Sequence, residues 1–415
     1  MDKKQEWSGI LGSLIAAIGS AVGLGNYWRM PYLASQYGYI PFFIAFIVCV
    51  MFVGLPIMFV ELTAGRIFKK SFIETYKKLK FPWPGYISFI LMVILCSYYM
   101  VIAGWIFMYV VTYPFIVYNF SDLITHNIAP VGYIFVLLLS AIPIYFGVQK
   151  GIESFSKIIM ALLVILTILI LAIALSENPI PPITLELPTN LEIWIMALSQ
   201  SFFSLSVGFG ILFTYSTYIK QKTSIMKDSI VIGFFDVLIG LAASFLVFVL
   251  LGGVVSTEGP TLVFDVLSGV FKIAAIGWLF YLCLLIAAIT SVISLLEFIV
   301  SNLQNYGFNR KKALFLTVVS FLFLSLPSAL SYSSLNLSFM NIPVLDILDR
   351  YVIGATSWVG IFFIAFLLQH IKEEDFVKHL DAGRLGKPLY IWCKYILLIF
   401  GVVMAVVSTK FLIGW

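Results

Sequence analysis

Apolar runs recur along all 415 residues of this chain, far longer than the roughly 9–11 residues of a barrel strand and without its strict alternation. Only helices can carry such runs across lipid, because a bilayer offers no water to pair with exposed backbone N–H and C=O groups. Apolar residues make up 61% of the chain and charged residues 11%, against about 45–50% and about 25% in ordinary soluble domains. The expected class is therefore all-α integral membrane, with the lipid bilayer as its surroundings. Stretches long enough to span lie at about residues 8–35, 40–66, 86–116, 131–148, 152–176, 193–219, 229–255, 271–303, 313–331, 345–370 and 389–413, which predicts eleven transmembrane helices. Residues 1–415 read as a single transmembrane domain, with 68–85, 176–192 and 371–388 as the longest polar connections.

Two of these runs are interrupted by nearly the same tetrad, Val22-Gly23-Leu24-Gly25 and Val207-Gly208-Phe209-Gly210. Glycines inside a spanning helix are tolerated where the freed backbone groups meet protein, water or a ligand. The echo predicts helices 1 and 6 unwound at mid-membrane and a binding site between them. Two halves of opposite orientation, about 8–176 and 193–370, would then form a 5+5 inverted repeat, and about 389–413 an extra C-terminal helix.

Charge sets the expected orientation. With the N-terminus cytoplasmic, the inner loops collect the clusters Lys3-Lys4, Arg66 to Lys80, Lys150 to Lys157, Lys220 to Lys227, Arg310 to Lys312 and Lys372 to Lys394, leaving Arg29, Lys272, Arg350 and Lys410 of the 25 Lys and Arg for the outside. The C-terminus is then extracellular. The net charge of +5 is a matter of topology, and no nucleic-acid partner is expected. Lys3-Lys4 before Ile10–Ile18 superficially fits a cleavable leader, but the apolar run continues into Asn26-Tyr27-Trp28-Arg29, so the segment is expected to be retained. Cys49, Cys96, Cys283 and Cys393 are scattered singly and read as packing residues. His126, His370 and His379 are isolated and no G-x-S-x-G or H-E-x-x-H motif occurs, so an enzyme is not expected.

Charges at membrane depth cost roughly 2.5–3.5 kcal/mol even on a lenient scale, so Glu61, Asp236, Glu297 and Asp349 each require a partner or a purpose. Glu61 either lies at the inner interface beside Arg66 or accepts hydrogen bonds from N–H groups released at Gly208–Gly210. Asp236 either binds a cation or a proton or makes a packing hydrogen bond. Thr290-Ser291 can bond back to their own helix or offer hard oxygen ligands beside carbonyls freed at Gly19–Val22. Arg29 and Asp349 fall on the outer side of the first break, where they either pair as a gate or, for Arg29, snorkel to headgroups.

The run Gly19-Ser20-Ala21-Val22-Gly23-Leu24-Gly25-Asn26-Tyr27-Trp28-Arg29-Met30-Pro31 resembles the first span of the neurotransmitter:sodium symporter family, whose bacterial leucine transporter defines a shared fold. The likeness continues at Gly54-Leu55-Pro56, Glu61, Gly65-Arg66, Tyr98-Tyr99, Trp105, Lys150-Gly151-Ile152-Glu153, Ser204 to Gly210, Ala287 to Ser291, Leu326 to Ser331 and Asp346 to Asp349. It implies a transporter domain with the leucine-transporter-like inverted repeat, which is itself a property of that family. It also implies a sodium-coupled symporter for a neutral, hydrophobic amino acid working by alternating access; the alternative is a non-transporting amino-acid receptor or sensor on the same fold.

Position by position, the resemblance implies two Na+ sites. One uses carbonyls of Gly19, Val22 and Ala287 with the hydroxyls of Thr290 and Ser291. The other uses the Ala21 carbonyl, Asn26, Ser204, Asp236 and the substrate's own carboxylate. That carboxylate would meet the N–H groups of Leu24 and Gly25 and the hydroxyl of Tyr99, and the ammonium the carbonyls around Ala21, Phe203, Ser204 and Ser206. Leu95, Phe203, Phe209, Ser291 and Leu295 would line the pocket, and Tyr99 and Phe203 with Arg29 and Asp349 would close it. Gly23 stands where biogenic-amine carriers have aspartate, which favours a free amino acid.

Three departures are visible. Tyr37-Gly38-Tyr39-Ile40 replaces the usual glycine run before span 2, and Asn305 replaces the acidic residue of the inner salt bridge, with Lys4 the nearest basic candidate. Asp236 replaces the usual asparagine, while Gly240 stands where chloride-independent relatives hold glutamate. The expectation is that Asp236 supplies the fixed negative charge and that chloride is not required.

Overall fold

A computed structural model describes residues 5–413 except 117–119, 121–122, 124–128, 184, 220–222, 257–260 and 272. The charge readings on Lys3, Lys4, Lys220, Lys222 and Lys272, and His126, lie outside the described residues, as do the side chains of Arg350 and Lys410.

The first apolar run forms α1 (Ile10–Ala21), α2 (Leu24–Tyr27) and α3 (Arg29–Tyr37), bent by 56° at its break. Next come α4 (Tyr39–Phe68), the short α5 (Phe72–Lys78), α6 (Trp83–Thr112), α7 (Ala129–Phe146) and α8 (Val148–Glu177). The second broken run gives α9 (Leu191–Leu205) and α10 (Ile211–Thr217), followed by α11 (Ile225–Leu250), α12 (Ala274–Gln304), α13 (Arg310–Leu330), α14 (Val344–Gln369), α15 (Glu373–Leu380) and α16 (Gly386–Ile413). Among the described residues seven helices are long and apolar enough to cross a membrane, or eight with the bent first pair as one span. The protein is a multi-pass membrane protein.

Local chemistry explains the ends. Ser71, Asn190, Ser224 and Asn309 cap α5, α9, α11 and α13, each side chain accepting an N–H from the first turn. Trp83-Pro84 opens α6 a few residues before the expected start, because proline has no N–H to lose at the first turn. The 68–85 and 371–388 connections contain the helices α5 and α15, and a helical stretch at Thr261–Val266 lies where only a connection was expected. Ser338–Phe339 and Ile342–Pro343 pair as a small hairpin, with Met340 and Asn341 at positive φ as its two-residue turn requires.

The core centres on α12, whose side chains from Phe280 to Val300 are buried on nearly every face and which packs on α6 and α8. By contrast α8 turns Ile158, Ile165 and Ile168 outward, the pattern of a helix facing lipid. The two broken runs lie against this core, and α16 packs mainly on α14 and also on α4.

Inside α4 the residues Val50–Gly54 form a π-helical turn. Pro56 follows and has no N–H for the carbonyl four residues earlier, that of Phe52. The indole of Trp392 on α16 donates to that carbonyl at 2.9 Å. A neighbouring helix thus satisfies the acceptor that proline frees.

Candidate functional site

The two glycine tetrads break their helices by different means. At the second, α9 ends on Ser206 with φ 51°, and Gly208 and Gly210 hold φ 84° and 82°, values costly for any residue with a Cβ. At the first, neither glycine needs positive φ, and close approach decides instead. A Cβ on Gly25 would stand 2.3 Å from the Phe203 ring, and one on Gly23 would stand 2.9 Å from Ser291 Oγ and 3.3 Å from the Tyr99 hydroxyl.

Backbone groups released at the breaks find side-chain partners. Glu61, fully buried on α4, accepts from Gly208 N–H at 2.8 Å and Phe213 N–H at 3.3 Å. Its near neighbour Arg66 donates to the carbonyl of Thr223 at 2.5 Å and to the Thr223 hydroxyl. The side-chain amide oxygen of Asn26 accepts from Gly23 N–H at 3.2 Å, and Leu24 N–H donates to the Tyr99 hydroxyl at 3.4 Å. Gly360 on α14 meets the second break backbone to backbone, since a Cβ there would lie 2.4 Å from the Gly208 oxygen.

Between the breaks lies a cavity of about 40 Å³. It is lined by Ala21, Leu24, Gly25, Leu95, Tyr99, Phe203, Ser206, Phe209, Ser291 and Leu295, all of them expected pocket residues. Ser204, also expected, does not line it; its hydroxyl is turned to Asp236. Gly23, expected to leave room for a free amino acid, lines it too, while Ser20, Ile211 and Ser294 line the cavity and were missed as pocket residues. For Ser294 there was a signal, because it lies three residues beyond Ser291 and so on the same helix face.

Two oxygen-rich clusters flank the cavity. Asp236 accepts from Ser204 Oγ at 2.7 Å and from Asn26 Nδ2 at 3.3 Å, and Asn26 Nδ2 also reaches Ser204 Oγ at 3.2 Å. On the other side Thr290 Oγ1 donates to the Ala287 carbonyl at 3.0 Å and Ser291 Oγ to the same carbonyl at 3.4 Å. A Cβ on Gly19 would lie 3.5 Å from Thr290 Cβ, so the first helix end and α12 meet there. The hydroxyl, carboxylate and carbonyl oxygens here are a donor set suited to a hard monovalent cation, whereas Asn26 presents Nδ2 to Asp236 and turns its amide oxygen to Gly23 N–H.

On one side of the cavity Arg29 donates to Ser199 at 3.1 Å and Gln200 at 3.3 Å, and its guanidinium carbon lies 6.0 Å from the centre of the Phe203 ring. Asp349 lies beside Tyr98. On the other side the start of the chain is fastened down. Trp7 Nε1 donates to the Tyr215 carbonyl at 2.8 Å, Ser8 N–H donates to Glu153 at 2.8 Å and the Ser8 hydroxyl also bonds Glu153, and Gln5 accepts from Val148 N–H at 2.9 Å. Asn305, at the expected inner salt-bridge position, bonds its own helix at Ser301. The partner required by Glu297 is Arg310, bidentate at 2.9 and 2.6 Å and almost fully buried, so Arg310 is a core residue rather than a loop charge.

Two interrupted helices thus face one small cavity flanked by oxygen clusters, an arrangement that fits an ion-coupled membrane carrier. The chain belongs to the Sodium:neurotransmitter symporter family, whose profile matches residues 4–119 and 121–414. It is 29% identical over 456 residues to a sodium-dependent transporter of Methanocaldococcus jannaschii, covering 98% of this chain and 89% of that protein. A sodium-dependent neutral amino acid transporter, B(0)AT2 of Pongo abelii, is 25% identical over 300 residues, 60% of this chain and 41% of that protein. Among solved structures, MhsT in complex with L-phenylalanine superposes with a TM-score of 0.85 at 25% identity, covering 97% of this chain and 99% of that one. The fold is that of MhsT, and the family is one of sodium-dependent transporters.

Proposed function

We infer that this protein takes up a neutral, hydrophobic amino acid together with sodium. The carrying observation is the cavity between the two breaks, where Leu24, whose N–H donates to the Tyr99 hydroxyl, and Tyr99 border a space walled by Leu95, Phe209, Ile211 and Leu295. Released N–H groups hold a carboxylate, released carbonyls an ammonium, and the apolar wall the side chain. The solved structure of MhsT with phenylalanine and the neutral amino acid carriers among the relatives support this substrate class.

In this reading the chain crosses the membrane eleven times with its N-terminus inside, its halves about 8–176 and 193–370 are inverted repeats, and about 389–413 is an added helix. The breaks sit at mid-membrane. One Na+ is held by Gly19, Val22, Ala287, Thr290 and Ser291, the other by Ala21, Asn26, Ser204, Asp236 and the substrate carboxylate. The shared carboxylate makes each ligand strengthen the other. Phe203, Tyr99, Arg29 and Asp349 close over the loaded site before the inner side opens. A tenfold sodium gradient gives about 1.4 kcal/mol and 100 mV about 2.3 kcal/mol per charge, so two ions supply roughly 7 kcal/mol.

The test is uptake of a panel of radiolabelled amino acids into proteoliposomes, with sodium, chloride and pH varied separately. Sodium-dependent accumulation of neutral amino acids without a chloride requirement is expected. Sodium-dependent binding without accumulation would select the receptor reading instead, and no binding of any amino acid would end both.

A further inference from the structure

The floor of the cavity differs from its walls. Ser20 at the end of α1 and Ser294 on α12 both line it, both nearly fully buried. A hydroxyl has one proton to give and two lone pairs to receive with. Ser294 Oγ gives its proton to the Ser291 carbonyl at 2.8 Å, an oxygen that can only accept. In the 2.9 Å contact between Ser20 Oγ and Ser294 Oγ the donor is therefore Ser20. The other two serines of the lining also spend their protons on carbonyls, Ser206 on that of Ser20 at 2.9 Å and Ser291 on that of Ala287 at 3.4 Å. All four serine protons are committed to the protein, and lone pairs are what these hydroxyls have left for a ligand.

We propose that Ser20 and Ser294 determine specificity by making the pocket floor a hydrogen-bond acceptor, which selects, among amino acids of equal size, the one whose side chain carries a donor such as a hydroxyl. The inference rests on the amino-acid reading of the same cavity and narrows it. Threonine and valine separate the two ideas, being alike in shape and differing in a hydroxyl against a methyl. The serine oxygens already pair with one another, so a methyl strands no group completely, and the expected discrimination is about tenfold.

The experiment is competition binding to the purified full-length protein in sodium, comparing threonine with valine, serine with alanine and tyrosine with phenylalanine. In the unaltered protein the hydroxyl-bearing member of each pair that binds should be preferred by about tenfold. In the double variant Ser20→Ala with Ser294→Ala the ratio should fall toward one. Equal affinity within the pairs in the unaltered protein overturns the proposal while leaving amino-acid symport intact. So does a ratio that the double variant leaves unchanged. Should the double variant fail to fold, the pairwise ratios of the unaltered protein decide alone. If no amino acid binds at all, both readings fall together.

Discussion

Ser204 Oγ donates to Asp236 Oδ2 at 2.7 Å, tying the last turn of a helix that is about to break to the middle of one that is not. The other donor on this carboxylate is the Asn26 amide, so both partners are neutral. A fully buried carboxylate with neutral partners is costly unless a cation joins it. In the proposed reading Asp236 is the fixed negative charge beside the substrate-linked sodium. The substitution Asp236→Asn should create a chloride requirement or abolish uptake, read in proteoliposomes with gluconate replacing chloride. Uptake unchanged and indifferent to the anion would remove this role from Asp236.

Glu297 offers a second, purely structural prediction. Its oxygens hold the Arg310 guanidinium and the Tyr218 hydroxyl, and Arg310 Nε reaches the Ile144 carbonyl at 2.9 Å. Glu297→Ala leaves a buried guanidinium without its counter-charge, at about 3–5 kcal/mol. Removing both charges with Glu297→Met and Arg310→Met should recover much of that loss. Thermal unfolding in detergent reads both, and a single variant as stable as the parent would contradict the burial of the pair.

Gly360→Ala tests the second break from outside it. The new methyl would meet the Gly208 carbonyl, backbone against backbone, with no flexible side chain to yield. Amino-acid affinity should fall by tenfold or more, because the displaced segment carries Phe209 into the cavity wall. Equilibrium binding on a monodisperse preparation separates this from misfolding.

Trp392→Phe should act on stability alone. It removes the donor to the Phe52 carbonyl while keeping most of the apolar contact, costing about 1–3 kcal/mol. A lower unfolding midpoint with unchanged sodium affinity is expected; a changed sodium affinity would mean that α16 reaches the binding site.

Much of this arrangement was legible in the residue pattern. Apolar run length marked the helices, since a bilayer allows few alternatives, and Gly208 and Gly210 marked a break because positive φ favours glycine so strongly. Gly23 and Gly25 gave the same signal for a different reason, the approach of Ser291 and Phe203, which no local pattern can distinguish. The Glu297–Arg310 pair was invisible because Arg310 looks like one member of a basic cluster and only packing reveals that it turns inward. Ser20 and Ser294 escaped notice because a serine in an apolar helix usually bonds its own backbone, as Ser294 does, and cavity exposure is a tertiary property. The π-helical turn at Val50–Gly54 has no sequence period of its own.

Residues 5 to 8 hold on at once to the start of α8, in the first half of the chain, and to the carbonyl of Tyr215 on α10, in the second. The amino-terminal tail is therefore a stitch across a seam, joining two elements far apart along the chain. A reporter protein fused ahead of Gln5 should be carried on a linker long enough to leave both attachments undisturbed.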